Sequence, residues 1–205
     1  MPTASFDDKD VLVKDLIEDY FFDNVAAHTY RTMCKSTGCP FTIDHITLRC
    51  LDVARRAVPF LERGYVDADE RVEYPDQGWW AKVYRREGHP ALFIDQAYVD
   101  ARGAVSIIPA WVDRFGDQRL HHVAVRVVNI DTAVTALKER DIAFSGTVVG
   151  APGSRLRQIF TVAEIRAGVA FSVLELTERN GYDGFYPEQA GSLMQASTRL
   201  QPEHT

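Results

Sequence analysis

An internal repeat is the feature of this sequence that most constrains its fold. A predicted strand, a helix and three more predicted strands follow one another from residue 41 to residue 98, and the same order returns from residue 120 to residue 176. The two copies are offset by roughly 75–80 residues, and each is a complete supersecondary unit. The pattern therefore predicts an α+β protein made of two βαβββ modules.

The bounds of the predicted elements follow from apolar periodicity and from turn residues. The first copy contains predicted strands at Phe41–Arg49, Tyr65–Tyr74, Trp79–Arg86 and Ala91–Tyr98, and a helix at Asp52–Arg63 that ends before Gly64. The second copy contains predicted strands at Leu120–Val127, Thr147–Val149, Leu156–Val162 and Val169–Leu176, and a helix at Asp131–Arg140 with Asp131 as its N-cap.

Helices are predicted on both sides of the repeat. Apolar residues recur at three- and four-residue steps over Val11–Met33, which predicts one helix with Asp7 or Asp8 available as its N-cap. The tail predicts a closing helix at Pro187–Leu200, with Pro187 in its first turn. The chain thus divides into an N-terminal helical segment (1–40), a first module (41–100), a linker (101–119), a second module (120–180) and a C-terminal segment (181–205).

The composition argues against several classes of protein. Of the 205 residues, 46% are apolar and 25% are charged, which is typical of a soluble globular protein. The net charge of −6 argues against a nucleic-acid-binding surface, and no apolar run is long enough to cross a bilayer. The acidic N-terminus lacks a secretion signal, and Cys34, Cys39 and Cys50 form no CxxC motif and are expected to stay reduced. We therefore expect a cytoplasmic protein that binds neither nucleic acid nor membranes.

Side chains that can bind a metal fall at equivalent places in the two copies. His45 lies in the first strand of the first module, and the pair His121-His122 lies in the first strand of the second. Because neighbouring strand residues point to opposite faces, only one of that pair can face the same cleft as His45. Glu175 lies in the apolar last strand, where a carboxylate is costly unless it is paired or coordinated. A single strand histidine is more often structural, but two imidazoles and a carboxylate together form the ligand set of non-haem Fe(II) sites.

Two βαβββ modules in one chain are the layout of the vicinal oxygen chelate superfamily, with its glyoxalase-like fold, which this sequence resembles. Its second module resembles the iron-binding half of the 4-hydroxyphenylpyruvate dioxygenase family. The similar segments are His122-Val123-Ala124-Val125, Gln158-Ile159-Phe160-Thr161, Glu175-Leu176-Thr177-Glu178-Arg179 and Gly181-Tyr182-Asp183-Gly184-Phe185. They match, in order, that family's second histidine motif, its Gln-Ile-Phe-Thr strand, its Glu-x-x-x-Arg ending and its Gly-x-x-Gly-Phe segment.

This resemblance implies a role for each matched residue. It selects His122 rather than His121 as the second histidine ligand and makes Glu175 the carboxylate ligand. It also implies that Gln158 faces the substrate and that Phe185 closes over the cleft ahead of a C-terminal helix. No catalytic residue beyond the metal ligands is implied.

The first module points to a related family. The strand Asp44-His45-Ile46-Thr47-Leu48-Arg49 resembles the Asp-His-Ile-x-x-Arg strand of the 2-oxoadipate dioxygenase/decarboxylase (hydroxyglutarate synthase) family. The resemblance implies that Arg49 binds a substrate carboxylate, and residues four apart on a strand share a face, so Arg49 should accompany His45. A guanidinium can hold a carboxylate through two parallel hydrogen bonds. The chain has one pair of modules, and we expect it to be shorter than the usual enzymes of either family.

These resemblances imply an Fe(II)-dependent dioxygenase that decarboxylates and hydroxylates a 2-oxo acid, either 2-oxoadipate-like or arylpyruvate-like. The expected partners are that acid and dioxygen, and Ni, Zn, Co or Cu could occupy the site in the isolated protein. Two alternatives stay open. One is a redox-silent metal-dependent isomerase or lyase of the glyoxalase kind, for which Asp95 is the acidic candidate for a fourth ligand in the first module's last strand. The other is a small-molecule-binding protein without turnover, and a homodimer also stays open.

Overall fold

The computed structural model describes residues 11–197 and divides them into two compact units. The first unit comprises residues 11–20 and 45–121, and the second comprises residues 21–44 and 122–197. Each unit is built around one copy of the βαβββ repeat, and helices occupy both ends, so the predicted α+β class with paired modules is confirmed. The predicted N-caps Asp7 and Asp8 and the last residues of the predicted closing helix lie outside the described residues. Within residues 11–197, no helix combines the length and the apolar composition needed to cross a membrane.

The N-terminal segment forms two helices, α1 (Val11–Asp23) and α2 (Val25–Thr37), where the sequence predicted one. Asn24 separates them in an extended conformation, and its side chain caps α2 by accepting a hydrogen bond from the backbone N–H of Ala27 at 2.9 Å. The prediction was wrong because apolar periodicity continues through this cap residue without a break.

Besides most of α1, the first unit contains four strands and two further α-helices. Its elements are β1 (Ile43–Cys50), α3 (Val53–Leu61), β2 (Val66–Tyr74), β3 (Trp79–Arg85), β4 (Ala91–Ala97) and α4 (Ile108–Phe115). The strands β1 and β4 pair in parallel, β4 with β3 and β3 with β2 pair antiparallel, and the order is β2-β3-β4-β1. Asp52 caps α3 as its sequence position suggested, and the segment predicted as a linker carries α4.

The second unit repeats this pairing. Its further elements are β5 (Leu120–Arg126), α5 (Ile130–Lys138), β6 (Leu156–Phe160), β7 (Glu164–Arg166), β8 (Val169–Arg179) and α6 (Pro187–Ser197). The strands β5 and β8 pair in parallel, and β6 and β7 each pair antiparallel with β8. The first and last strands of each repeat are therefore parallel neighbours, which places residues of both strands side by side.

Two details of the second unit differ from the prediction. The N-cap of α5 is Asn129, whose side chain accepts from the backbone N–H of Thr132 at 2.9 Å, whereas Asp131 lies in the first turn and pairs with Arg157 at 2.9 Å. Both residue types cap helices, so the sequence alone did not distinguish the two neighbouring positions.

The strands between β5 and β8 also differ. The predicted strand at Thr147–Val149 is reduced to an isolated bridge between Val149 and Gln158, and β7 was not predicted. A three-residue strand carries too little periodicity to be recognised, and an isolated bridge depends on a neighbour that is distant along the chain.

The strands that carry the candidate site are buried along nearly their whole length. In β1 seven of eight residues are buried, and β5 and β6 are buried almost throughout. Their buried polar side chains include His45, Arg49, His122, Gln158 and Glu175. Because a polar group removed from water is costly unless it finds a partner, each of these side chains needs a neighbour of matching chemistry.

Candidate metal centre

Two of the predicted ligands lie side by side in the second unit. In the parallel pair of β5 and β8, His122 lies opposite Val173, and Glu175 follows Val173 by two residues on the same face. The Nε2 atom of His122 is 3.6 Å from the Oε2 atom of Glu175. Their side chains are 8% and 2% exposed, so a buried carboxylate faces a buried imidazole.

The carboxylate of Glu175 is held by two neutral donors. Gln158, on β6, donates from Nε2 to Glu175 Oε1 at 2.5 Å, and Thr177 donates from Oγ1 to the same oxygen at 2.7 Å. Gln158 lies opposite Thr177 in the pairing of β6 and β8, which puts both donors on the face that carries Glu175. The sequence had assigned Gln158 to the substrate and had given Thr177 no role. Thr177 follows Glu175 by two residues, and that spacing was the available signal.

His45 lies in the first unit on β1, where it is 4% exposed and its ring centroid is 5.2 Å from that of Phe93. One ligand atom from each of His45, His122 and Glu175 lies within 4.8 Å of the others. The structure thus brings together the three residues that the sequence selected as ligands.

This cluster fits a divalent metal ion by its donor chemistry. Imidazole nitrogens and carboxylate oxygens bind such ions at about 2.0–2.2 Å, so ligands of one ion lie up to about 4 Å apart. The donor atoms here need only a small adjustment to reach that spacing. A buried carboxylate beside two imidazoles also has a charge that a cation would balance. A set of two histidines and one carboxylate leaves coordination positions open for other molecules.

The neighbouring histidine takes a different environment. His121 is also buried, but its ring meets that of Trp111 edge-on at a centroid distance of 6.2 Å. It is not part of the three-residue cluster that the described residues form. The two adjacent histidines therefore have different surroundings, because successive side chains of a strand point to opposite faces.

Arg49 lies four residues after His45 and is fully buried, with 1% exposure. Its Nε and one terminal nitrogen make no hydrogen bond to any described residue, and its guanidinium lies 5.5 Å from the ring centroid of Trp111. Burial lowers the pKa of Arg49 to about 10, and the opposing charge of Asp95 raises it, so the group stays cationic at neutral pH. A buried cation with unused donors is suited to an anionic ligand.

Asp95 lies directly opposite Arg49 in the pairing of β1 and β4 and is 2% exposed. Burial raises the pKa of Asp95 to about 7, while Arg49 and His45 lower it. Among the described residues, the metal-competent cluster does not include Asp95. The carboxylate weighed as a fourth ligand thus lies opposite the buried arginine.

The C-terminal segment is held by a buried ion pair that the sequence did not predict. Arg179 donates to both carboxylate oxygens of Asp44, at 2.6 and 2.8 Å, and to the backbone carbonyls of Tyr182 and Gly184 at 3.0 and 2.8 Å. Its guanidinium also lies 4.6 Å from the ring centroid of Phe185, which is half-buried. Phe185 is therefore fixed through Arg179. Arg179 belongs to the motif Glu175-Leu176-Thr177-Glu178-Arg179, but that motif gives no sign of its partner Asp44.

No family model and no curated protein matches this chain by sequence. Its structure is similar to hydroxyglutarate synthase from Oryza sativa in complex with 2-oxoadipate, with a TM-score of 0.74 and 16% identity over 92% of this chain and 91% of that one. These two chains are about equally long, so the expectation that this chain is shorter was wrong for that enzyme. It is also similar to a glyoxalase-superfamily protein from Ralstonia eutropha, with a TM-score of 0.63 and 14% identity over 84% and 83% of the two chains. The chain has a glyoxalase-like α+β fold.

A third similar structure is a mutant of 4-hydroxymandelate synthase from Streptomyces coelicolor, with a TM-score of 0.60 and 21% identity. That match covers 78% of this chain and 55% of the synthase. At these identities the likeness establishes the fold, and proteins of more than one activity share it. The residues of the site therefore have to indicate the function.

Proposed function

We propose that this protein is an Fe(II)-dependent dioxygenase that oxidatively decarboxylates and hydroxylates a 2-oxo acid. The observation that carries the proposal is the buried cluster of His45, His122 and Glu175, whose ligand atoms lie within 4.8 Å of one another. Two imidazoles and one carboxylate form the ligand set that non-haem Fe(II) oxygenases use. When bound, Fe(II) supplies Lewis acidity and the ability to react with dioxygen.

The residues around the cluster prepare the carboxylate for this task. Gln158 and Thr177 both donate to Oε1 of Glu175, and this orients Oε2 toward His122. Such partners fix the rotamer of a ligand before the metal arrives, and they increase metal affinity. Ni, Zn or Co can compete for the same donors, so the metal found after purification need not be the active one.

The buried guanidinium of Arg49 indicates a substrate that carries a carboxylate. This guanidinium has two nitrogens without a hydrogen-bond partner among the described residues, and Arg49 follows His45 by four residues on one face of β1. We assign it the binding of a substrate carboxylate, which would satisfy both nitrogens at once. A 2-oxo acid with a second carboxylate, such as a 2-oxoadipate-like compound, uses Arg49 most fully. An arylpyruvate-like acid is the second candidate within this class.

Phe185 is assigned the exclusion of water from the substrate. Arg179 holds the segment that carries this ring through the carbonyls of Tyr182 and Gly184. An apolar ring over a reacting site keeps solvent away from reactive species. From its sequence we also propose that the protein is cytoplasmic. We propose that it acts on a small molecule rather than on nucleic acid or a membrane, and that it is either a monomer or a homodimer.

A redox-silent isomerase or lyase of the glyoxalase kind is the second candidate. The observation that favours it is Asp95, a buried carboxylate on the strand that pairs with the strand of His45. A rearrangement of that side chain would supply a fourth ligand. A binding protein without turnover is the third candidate.

The test uses the full chain, stripped of metal and reconstituted with Fe(II) without oxygen. Oxygen uptake and carbon dioxide release are then followed with 2-oxoadipate, 4-hydroxyphenylpyruvate and other 2-oxo acids. Coupled uptake and release with one acid supports the proposal. Stoichiometric Fe(II) binding without uptake with any acid argues for isomerisation or binding. His122→Ala should abolish both signals, and His28→Ala, an exposed histidine on α2, should leave them unchanged.

A further inference from the structure

Two cysteine sulfurs meet at the C-terminal end of α2. Cys34 lies in the last turns of this helix, and Gly38 ends it in a left-handed conformation with φ 71°. This turn folds the chain back, so that the Sγ atom of Cys39 lies 2.8 Å from the Sγ atom of Cys34. A disulfide has an S–S length of about 2.05 Å, so the two free thiols need to approach by about 0.8 Å to form one.

The two thiols differ in access to solvent. Cys39 is exposed, whereas Cys34 is 2% exposed and packs inside the second unit. We propose that Cys34 and Cys39 are a modification site, a dithiol that small disulfides of the glutathione class oxidise to an intramolecular disulfide. The exposed Cys39 is the sulfur that the oxidant reaches, and the buried Cys34 is the sulfur that resolves the intermediate.

The exchange balances in two steps. Cys39, having lost its proton to water, attacks one sulfur of the small disulfide; a new S–S bond forms, and the other half leaves as a thiolate that takes up a proton. Cys34 then loses its proton and attacks the sulfur of Cys39, which releases the second small thiol. In sum the dithiol loses two protons and two electrons, and one small disulfide takes up both and becomes two thiols.

The surroundings of Cys34 support this order of attack. Burial is the main reason that the pKa of Cys34 is raised to about 12, and the neighbouring Cys39 raises it further, while the Tyr30 hydroxyl opposes the shift. Cys34 is therefore a neutral thiol in the reduced protein, and it reacts only after Cys39 has become part of an adjacent disulfide. Nucleophilic attack in thiol exchange requires the thiolate, so the first step belongs to the exposed residue.

The third cysteine serves as an internal control. Cys50 is buried at the end of β1, and its thiol is directed to the backbone carbonyl of Asp95 at 3.6 Å. Cysteines 34, 39 and 50 are all of the cysteines in the chain, and the close sulfur contact joins only the first two. The proposed disulfide is independent of the metal site and of the proposed function.

The sequence makes the test direct, because trypsin separates all three cysteines. Cleavage after Arg31, Lys35, Arg49 and Arg55 places Cys34 in residues 32–35, Cys39 in residues 36–49 and Cys50 in residues 50–55. The reduced protein is incubated with oxidised glutathione, quenched in acid, alkylated while denatured and digested without reduction. We expect a cross-linked pair of peptides 32–35 and 36–49, an intact mass lower by two hydrogens, and an alkylated Cys50.

Three variants separate the proposal from its alternatives. Cys50→Ser should form the same cross-link at an unchanged rate, and Cys39→Ser should form none. Cys34→Ser should accumulate glutathione on Cys39, because no resolving thiol is present. The proposal is wrong if the parent protein retains glutathione on Cys39, if it stays fully reduced while Cys39 reacts with an alkylating agent, or if the cross-link joins two chains.

Discussion

The two copies of the repeat share their strand pairing and differ in what the paired strands carry. In the second unit, β5 and β8 run in parallel, with His122 opposite Val173. Glu175 follows Val173 by two residues and therefore lies on the same face as the histidine. This copy supplies an imidazole and a carboxylate to one place.

The first unit has the same strand pairing, but a different residue lies beside its histidine. His45 lies opposite Ala91 on β4, and the position two residues later is Phe93, whose ring packs beside the histidine at 5.2 Å. The carboxylate Asp95 comes two residues further on and lies opposite Arg49. Two strand residues correspond to about 6.6 Å, which moves this carboxylate away from the histidine and toward the arginine.

This difference accounts for a cluster of three metal-competent side chains, rather than four, among the residues that the structure describes. Both copies carry a carboxylate on the last strand of the repeat, but the second copy directs it to a histidine and the first directs it to a buried cation. The first copy can therefore contribute one ligand and a site for an anion. Under the proposed function, the second copy would supply two of the three metal ligands, and the first copy would recognise the substrate.

The largest expected effect comes from removing the carboxylate that distinguishes the second copy. Glu175→Ala leaves two imidazoles, and we expect Fe(II) affinity to fall by more than the roughly 10–100-fold that is typical of losing an outer partner of a ligand. Isothermal titration of the metal-free protein with Fe(II) under anaerobic conditions measures this change. Glu73→Ala, at a half-exposed carboxylate on β2, is the matched control and should bind as the parent does. Unchanged binding by Glu175→Ala would remove this residue from the ligand set.

The first copy can also be given the carboxylate that it lacks beside its histidine. Phe93→Glu places a carboxylate in the first copy at the position that Glu175 holds in the second. We expect tighter binding of Zn(II) or Ni(II), by about 10-fold or more, and loss of oxygen uptake because a fourth protein ligand occupies an open position. The control is Phe93→Gln, whose side chain has the shape of glutamate without its charge. This variant should not bind Zn(II) or Ni(II) more tightly than the parent protein does. Equal metal affinity in the two variants would contradict the equivalence of the positions.

Arg49 tests the task assigned to the first copy. Arg49→Met removes the guanidinium and keeps apolar volume, and hydrogen bonds to charged groups are each worth about 1.5–3 kcal/mol. We therefore expect the KM for a dicarboxylic 2-oxo acid to rise about 10–100-fold, with Fe(II) affinity unchanged. Steady-state oxygen uptake and metal titration measure the two quantities. A fall in metal affinity with an unchanged KM would assign Arg49 to the structure of the cluster instead.

The fold was predictable where a single segment carries its own signal. Apolar alternation and turn residues located β1, β4, β5 and β8 and revealed the repeat. The break at Asn24 was missed because apolar periodicity runs through it, and its contact with Ser172, 148 residues away, leaves no local signal. The choice of Asn129 over Asp131 as a cap was missed for a different reason, since the two side chains have nearly equal capping ability.

In the site, too, some residues were predictable from local spacing and others were not. Period-two spacing along β1 placed His45 and Arg49 on one face, and the repeat placed a histidine and a carboxylate in the second unit. Spacing alone left His121 and His122 open, and a resemblance was needed to choose between them. The pairing of Asp44 with Arg179 was not predictable, because these residues lie 135 positions apart and neither belongs to a pattern that names its partner.

The smallest expected effect tests what the two copies still share. Asp52 and Asn129 cap the equivalent helices α3 and α5, and each accepts one hydrogen bond from a backbone N–H of the first turn. Replacing a cap residue by alanine typically costs about 1 kcal/mol, so Asp52→Ala and Asn129→Ala should each lower the free energy of unfolding by about that amount. Urea unfolding of the metal-free protein measures both changes. Neither variant should alter Fe(II) affinity, because both caps lie outside the cluster. Similar losses of stability would show that the copies remain equivalent as folding units, and that their difference lies in the few strand residues at the site.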